Sequence, residues 1–257
     1  MKLRVLDLFS GIGGFSLGLE RAALLGATYD GFETVAFCEI EEFPRRVLAK
    51  HWPNVPCYDD VRTLTSERLA ADGIAIDVIC GGFPCQDISF ASDAGKGLAG
   101  ERSGLWREYA RLVGELRPQF VLVENVSALL GRGIADVLAD LAALGYDAEW
   151  HCIPASAIGA PHPRDRVWIV AYAPEVFGQE QRRNEPRRFL SGDGVLRFVL
   201  DERREHDFAA WRAAEPGVAR GAHGVPNRVD RLGCLSNAVV PLAPEFIGGE
   251  VLKALTA

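Results

Sequence analysis

Short apolar runs alternate with stretches of helical periodicity through the first 173 residues, and this alternation constrains the fold more than any other feature. Residues 3–9 read as a first strand, followed by a glycine turn and a helix over 15–25. Strands are expected at 34–39, 54–58, 76–80 and 120–123, interleaved with helices at 42–51, 61–70 and 105–116. A helix over 134–144 stops at Gly145, and residues 147–153 and 166–171 complete the strands. Repeated βα units predict an α/β fold, a mostly parallel sheet covered on both faces. Ligands of such sheets gather beyond the carboxyl ends of the strands. Asp7, Glu39, Cys85 and Glu124 are all expected at or just beyond those ends.

The 257 residues suffice for one buried core and a small appended region. No stretch has the apolar length needed to span a bilayer, and Met1-Lys2-Leu3-Arg4 runs directly into strand-like sequence. A cytoplasmic protein without a membrane segment is the expectation. Six cysteines occur with no CxxC pair, so no metal site is signalled. The net charge of -7 disfavours a protein that coats nucleic acid through bulk attraction. Its distribution differs along the chain: residues 174–231 carry eleven arginines against ten acids. That segment fits either a local phosphate-binding face or a solvated polar region. Three regions are expected: 1–173 as the main domain, 174–231 as a small lobe, and 232–257 as a return whose helix spans 243–254.

After the first strand come Gly11, Gly13 and Gly14, which allow a tight turn and bring backbone amides close to a ligand. The dinucleotide fingerprint is incomplete, because Ser16 stands at its third glycine. Glu39, ending the second strand, can accept hydrogen bonds from ribose hydroxyls. A sulfonium cofactor suits a pocket that needs no phosphate-binding arginine. Asp60 on its own reads as a solvated loop acid or a helix cap.

Cys85 lies in Gly81-Gly82-Phe83-Pro84-Cys85-Gln86, and Glu124-Asn125-Val126 follows a second apolar run. A thiol and a carboxyl at one sheet edge form a candidate nucleophile and proton donor. The plainer readings are a buried thiol and a Glu-Asn pair capping the next helix. Together with Asp7-Leu8-Phe9-Ser10-Gly11-Ile12-Gly13-Gly14, these motifs resemble the DNA (cytosine-5) methyltransferase family, bacterial or phage type. The resemblance covers residues 3–172 well and 225–254 moderately.

It implies a Rossmann-like methyltransferase sheet with a small target-recognition lobe, using S-adenosylmethionine. By that resemblance Phe9, Gly11, Ile12 and Gly14 line the cofactor and Glu39 holds its ribose. Ile40, Asp60, Val61, Pro84 and Asn237 complete the cofactor side, with Asp60 meeting the adenine amino group. Cys85 would be the nucleophile, with Glu124 donating a proton to the cytosine ring. Arg166 would serve the flipped base or catalytic loop, with Arg164 supporting it. His162 stands where the family carries glutamine, and reads as an ordinary loop histidine. Residues 81–103 would form a mobile catalytic loop, with Gln86, Ser89, Lys96 and Asn125 on the substrate side. Arg182, Arg183, Arg187 and Arg188 occupy the target-recognition position. Ser236 replaces the glycine that usually opens the last motif, and the arginine-led motif supporting the recognition lobe has no clean copy.

The implied activity is methyl transfer to C5 of a flipped cytosine in double-stranded DNA, through a covalent cysteine adduct, by a monomer without metal. Restriction protection and phage DNA modification are its two candidate settings. Two alternatives stand beside it: an RNA cytosine-5 methyltransferase, and a catalytically silent relative that binds DNA or cofactor.

Overall fold

The computed structural model describes residues 1–24, 26–84, 104–158, 160, 164–177 and 237–256. Among the described residues seven strands form one sheet in the order β3-β2-β1-β4-β5-β7-β6. They are β1 (Lys2–Leu8), β2 (Gly31–Cys38), β3 (Cys57–Tyr58), β4 (Val78–Gly81), β5 (Phe120–Val126), β6 (Asp147–Pro154) and β7 (Asp165–Tyr172). Among the described residues the helices are α1 (Gly14–Arg21), α2 (Glu42–His51), α3 (Ser66–Ala71), α4 (Gly104–Leu116), α5 (Ile134–Ala143) and α6 (Leu242–Thr256). None of them is long and apolar enough to cross a membrane. Strands β1 to β5 pair in parallel, whereas β7 runs antiparallel to both β5 and β6. The mostly parallel sheet expected from the βα alternation is therefore present. The short connection at 155–164 allows β6 and β7 to pair antiparallel without a helical crossover.

Strict alternation along the strands sends side chains to two cores. On one face Leu6, Leu8, Ile79, Val121, Val123, Val167 and Ile169 pack against Trp106, Tyr109, Leu112 and Val113 of α4 and Val137 and Leu141 of α5. On the other, Leu3, Val5, Val78, Cys80, Phe120, Leu122, Trp168 and Val170 meet Phe15 and Leu19 of α1 and Phe246, Ile247, Val251 and Leu252 of α6. The last helix thus packs beside the first. Phe177, beyond the end of β7, still packs edge-on to Phe120 and Tyr172. The rest of the lobe expected at 174–231 lies outside the described residues.

Several boundaries shift for physical reasons. Helix α1 ends at Arg21 rather than at residue 25, because Ala22 turns extended and Ala23 bridges to Gly31. Residues 61–64 form a turn, and α3 begins only after Thr65, whose side chain accepts from the Arg68 amide. β5 runs three residues further than expected, so Glu124 and Asn125 lie inside a strand, paired with Trp168 and Val167. β4 ends at Gly81, opposite Val123. Glu124 is therefore the first residue of β5 with no β4 partner beside it, which leaves it at the functional edge despite its place within a strand.

Candidate active site

The loop after β1 is built from unusual backbone. Gly11 and Gly13 have φ of 52° and 83°, and Gly13 precedes α1 as its N-cap. Phe9 also adopts a positive φ of 53°, a strained choice for a bulky side chain. These turns expose a cavity lined by Asp7, Phe9, Gly11, Ile12, Gly14, Phe15, Gly82, Glu124 and residues 237–239. The space it bounds, about 350 Å³, is open to solvent. None of the described lining residues is a lysine or arginine.

Five of the expected cofactor residues, Phe9, Gly11, Ile12, Gly14 and Asn237, meet in that cavity. Glu39 reaches its rim through hydrogen bonds: the Gly11 amide donates to Oε2 at 2.7 Å and the Glu41 amide to Oε1 at 2.8 Å. Both carboxylate oxygens are thus fixed, and each keeps a free lone pair. Ile40, next in sequence, leaves its apolar side chain 62% exposed. Asp60 bonds within its own turn to the Arg62 guanidinium at 2.7 Å, which holds its carboxyl below the usual range. Val61 is buried in the core, and Pro84 is exposed at the end of its described segment.

Strands β5 and β7 supply the acid and its partner. Glu124 Oε1 lies 2.8 Å from Arg166 Nε. Burial raises the Glu124 carboxyl above its usual range, and Arg166 and Arg164 only partly offset that. Arg164, itself lowered by burial and by Arg166, shares a second small cavity with Glu124, Arg166 and Trp168. Gly82 packs directly against the acid, since a Cβ there would sit 2.8 Å from Glu124 Oε2. Asn125 is buried, donating from Nδ2 to the Phe83 carbonyl at 3.0 Å and accepting from the Val126 amide. It therefore ties β5 to the backbone two residues ahead of Cys85. Cys85, Gln86, Ser89, Lys96, Arg182, Arg183, Arg187 and Arg188 lie outside the described residues.

Sequence reasoning gave no role to Gly82 or Val239. The Val239 carbonyl lies where a side chain on Gly14 would be, only 2.4 Å from that Cβ position. Only three-dimensional packing shows what the absence of a side chain at Gly82 accommodates.

The strand order, the glycine turn after β1 and the carboxylate closing β2 define a Rossmann-like S-adenosylmethionine-dependent methyltransferase fold. Residues 3–210 match the family described as C-5 cytosine-specific DNA methylase, and the chain belongs to that family. It is 33% identical over 237 residues to the Type II methyltransferase M2.BsuMI of Bacillus subtilis, covering 87% of this chain and 55% of that protein. The Type II methyltransferase M.Sau3AI of Staphylococcus aureus is 33% identical over 187 residues, covering 66% and 43%. The chain spans about half the length of these curated relatives. At the level of fold alone, the Entamoeba histolytica methyltransferase EhMeth superposes with a TM-score of 0.65 at 12% identity, covering 99% of this chain and 98% of that one.

Proposed function

We propose that this chain methylates C5 of cytosine in double-stranded DNA, with S-adenosylmethionine as the donor. The observation that carries this reading is the convergence of Glu124, the cofactor-type cavity and the backbone leading to Cys85 at one sheet edge. The cavity suits a sulfonium better than a phosphate-bearing cofactor, because among the described residues carboxylates, backbone amides and apolar groups line it without a basic side chain. Phe9, Gly11, Ile12, Gly14, Glu39, Ile40 and Asn237 would hold S-adenosylmethionine, which supplies an electrophilic methyl group when bound.

The chain's own residues then account for the rest of the reaction. The Cys85 thiolate adds to C6 of an extruded cytosine, and the ring electrons move toward C5 as Glu124 protonates N3. C5 takes the methyl group, its proton passes to water, the Cys85 thiolate leaves as the 5,6 double bond re-forms, and N3 returns its proton to Glu124. A carboxyl raised by burial takes up a proton more readily than an exposed one, while Arg166 orients it. Asn125 would set the nucleophile loop through the Phe83 carbonyl, and Pro84 would shape it. Extrusion is required because the ring carbons are inaccessible in stacked duplex DNA. Gln86, Ser89 and Lys96 would contact DNA from the loop, and Arg182, Arg183, Arg187 and Arg188 would read or hold the target. The enzyme would act as a monomer in the cytoplasm, as a restriction companion or a phage-type modifier.

Expression in a host lacking cytosine methylation, followed by methylation-sensitive sequencing, tests this directly. New 5-methylcytosine at one short recurring sequence is expected. Unmodified DNA accompanied by labelled transfer RNA would move the activity to RNA, and labelling of neither would indicate a silent relative.

A further inference from the structure

Asp7 is the cavity residue whose charge the proposed chemistry does not use. It is 1% exposed, and its Oδ2 accepts from Ser16 Oγ at 2.7 Å and from the Ser16 amide at 3.3 Å. The amide contact satisfies an otherwise unpaired donor in the first turn of α1. The Cys80 thiol of β4 also favours its ionised form. The other charged groups around the cavity are Glu39, bonded by two amides, and Glu124, paired with Arg166 and near Arg164. Among the described residues no lysine or arginine touches Asp7. Burial pushes its carboxyl up to about 8; the Ser16 bonds oppose that shift and the Glu39 charge adds to it.

A buried carboxyl with no cation against it among the described residues, lining a cavity suited to a cation, behaves differently toward the donor and the product. S-adenosylmethionine and S-adenosylhomocysteine share the adenosine and the zwitterionic amino acid. They differ in one methyl group and in the positive charge on sulfur. We propose that Asp7 favours the sulfonium donor over the neutral thioether product by releasing its proton when the donor occupies the cavity. This inference rests on reading the cavity as an S-adenosylmethionine site.

The direction follows from linkage. A cation in the cavity stabilises the carboxylate and lowers the Asp7 pKa in the donor complex relative to the free protein. Donor affinity therefore rises with pH from the donor-bound pKa to about 8, the free value, and levels off above it. Product affinity gains nothing from Asp7 over the same window. For each unit by which the sulfonium lowers the pKa, the preference for donor rises about tenfold.

Isothermal titration calorimetry of the full chain tests this, with S-adenosylmethionine and S-adenosylhomocysteine between about pH 6.5 and about pH 8.5, in two buffers of different ionisation enthalpy. Wild type should release more protons on binding donor than Asp7→Asn does, while the two proteins should match on binding product. That comparison cancels the protons contributed by the ligands themselves. Ser16→Ala keeps the carboxyl but removes a bond favouring its ionised form, so the rise in donor preference should move to higher pH. A purely structural Asp7 would produce no such displacement, and Ser16→Ala carries the test should Asp7→Asn fail to fold. Equal proton release by wild type and Asp7→Asn, or an unmoved profile in Ser16→Ala, would overturn the inference and leave the cofactor assignment intact. Failure of both ligands to bind wild type would overturn the two together.

Discussion

Glu124→Gln is expected to reduce methyl transfer about 100- to 10,000-fold, the range that a positioned general acid contributes. Glutamine preserves the shape of the side chain and can still accept a hydrogen bond from Arg166, but it has no proton to deliver to N3. Loss of the negative charge also leaves Arg166 and Arg164 without their shared counter-ion, so a modest fall in thermal stability should accompany the loss of rate. The pH profile separates these effects. As the proposed acid Glu124 would act protonated, and burial raises its pKa, so wild-type activity should include a limb that declines as pH rises through that pKa. Ionisation of the Cys85 thiol supplies the opposite, rising limb. The declining limb should vanish in Glu124→Gln. Single-turnover rates that stay above about a tenth of wild type would show that Glu124 is not the acid.

Gly18→Ala should be among the most damaging small substitutions in the scaffold. Alanine in an exposed helix interior normally stabilises by about 1 kcal/mol relative to glycine. Here the added Cβ would lie 2.1 Å from the Pro241 carbonyl oxygen and 2.5 Å from Pro244 Cγ. Neither can swing aside as a flexible side chain would, so α6 must lift from α1. Overpacking of this kind costs about 3 kcal/mol or more, equivalent to a melting temperature lower by roughly 6–12 °C in a chain of this size. Because Val239 lies against Gly14 at the cavity, cofactor affinity should fall too. Gly249→Ala provides the control: nothing lies within 4 Å of its Cβ position, and it should be neutral or stabilising. Thermal shifts of the same sign and size in both variants would contradict this account of the α1–α6 contact.

Much of this architecture could be read before any coordinates. Period-two and period-3.6 patterns located the strands and helices, and α2 matched its expected span of 42–51 residue for residue. Local patterns failed where tertiary pairing overrides them. Residues 22–25 are apolar enough to continue a helix, yet Ala23 is drawn into a bridge with Gly31. Val61 and Leu64 enter the core from a turn, not from the helix that their spacing suggested.

The candidate site divides in the same way. The glycine turn, Glu39 and Glu124 were legible because their chemistry fits a strand-end ligand site. Glu124 and Arg166 meet because β7 pairs antiparallel with β5 in a register that places Trp168 opposite Glu124. No pattern around residue 124 encodes that register. The positive φ of Phe9 and the close approach of Gly82 to Glu124 likewise leave no local signature.

At the centre of this account is a transient bond between the Cys85 sulfur and C6 of a cytosine. Duplex DNA carrying 5-fluorocytosine in the recognised sequence tests it most directly, since C5 then has no proton to lose and the adduct cannot resolve. Incubation with S-adenosylmethionine, proteolysis and mass spectrometry should recover a methylated 5-fluorocytosine attached to the peptide containing Cys85. A stable adduct at any other residue, or none from protein that methylates ordinary duplex DNA, would contradict the account.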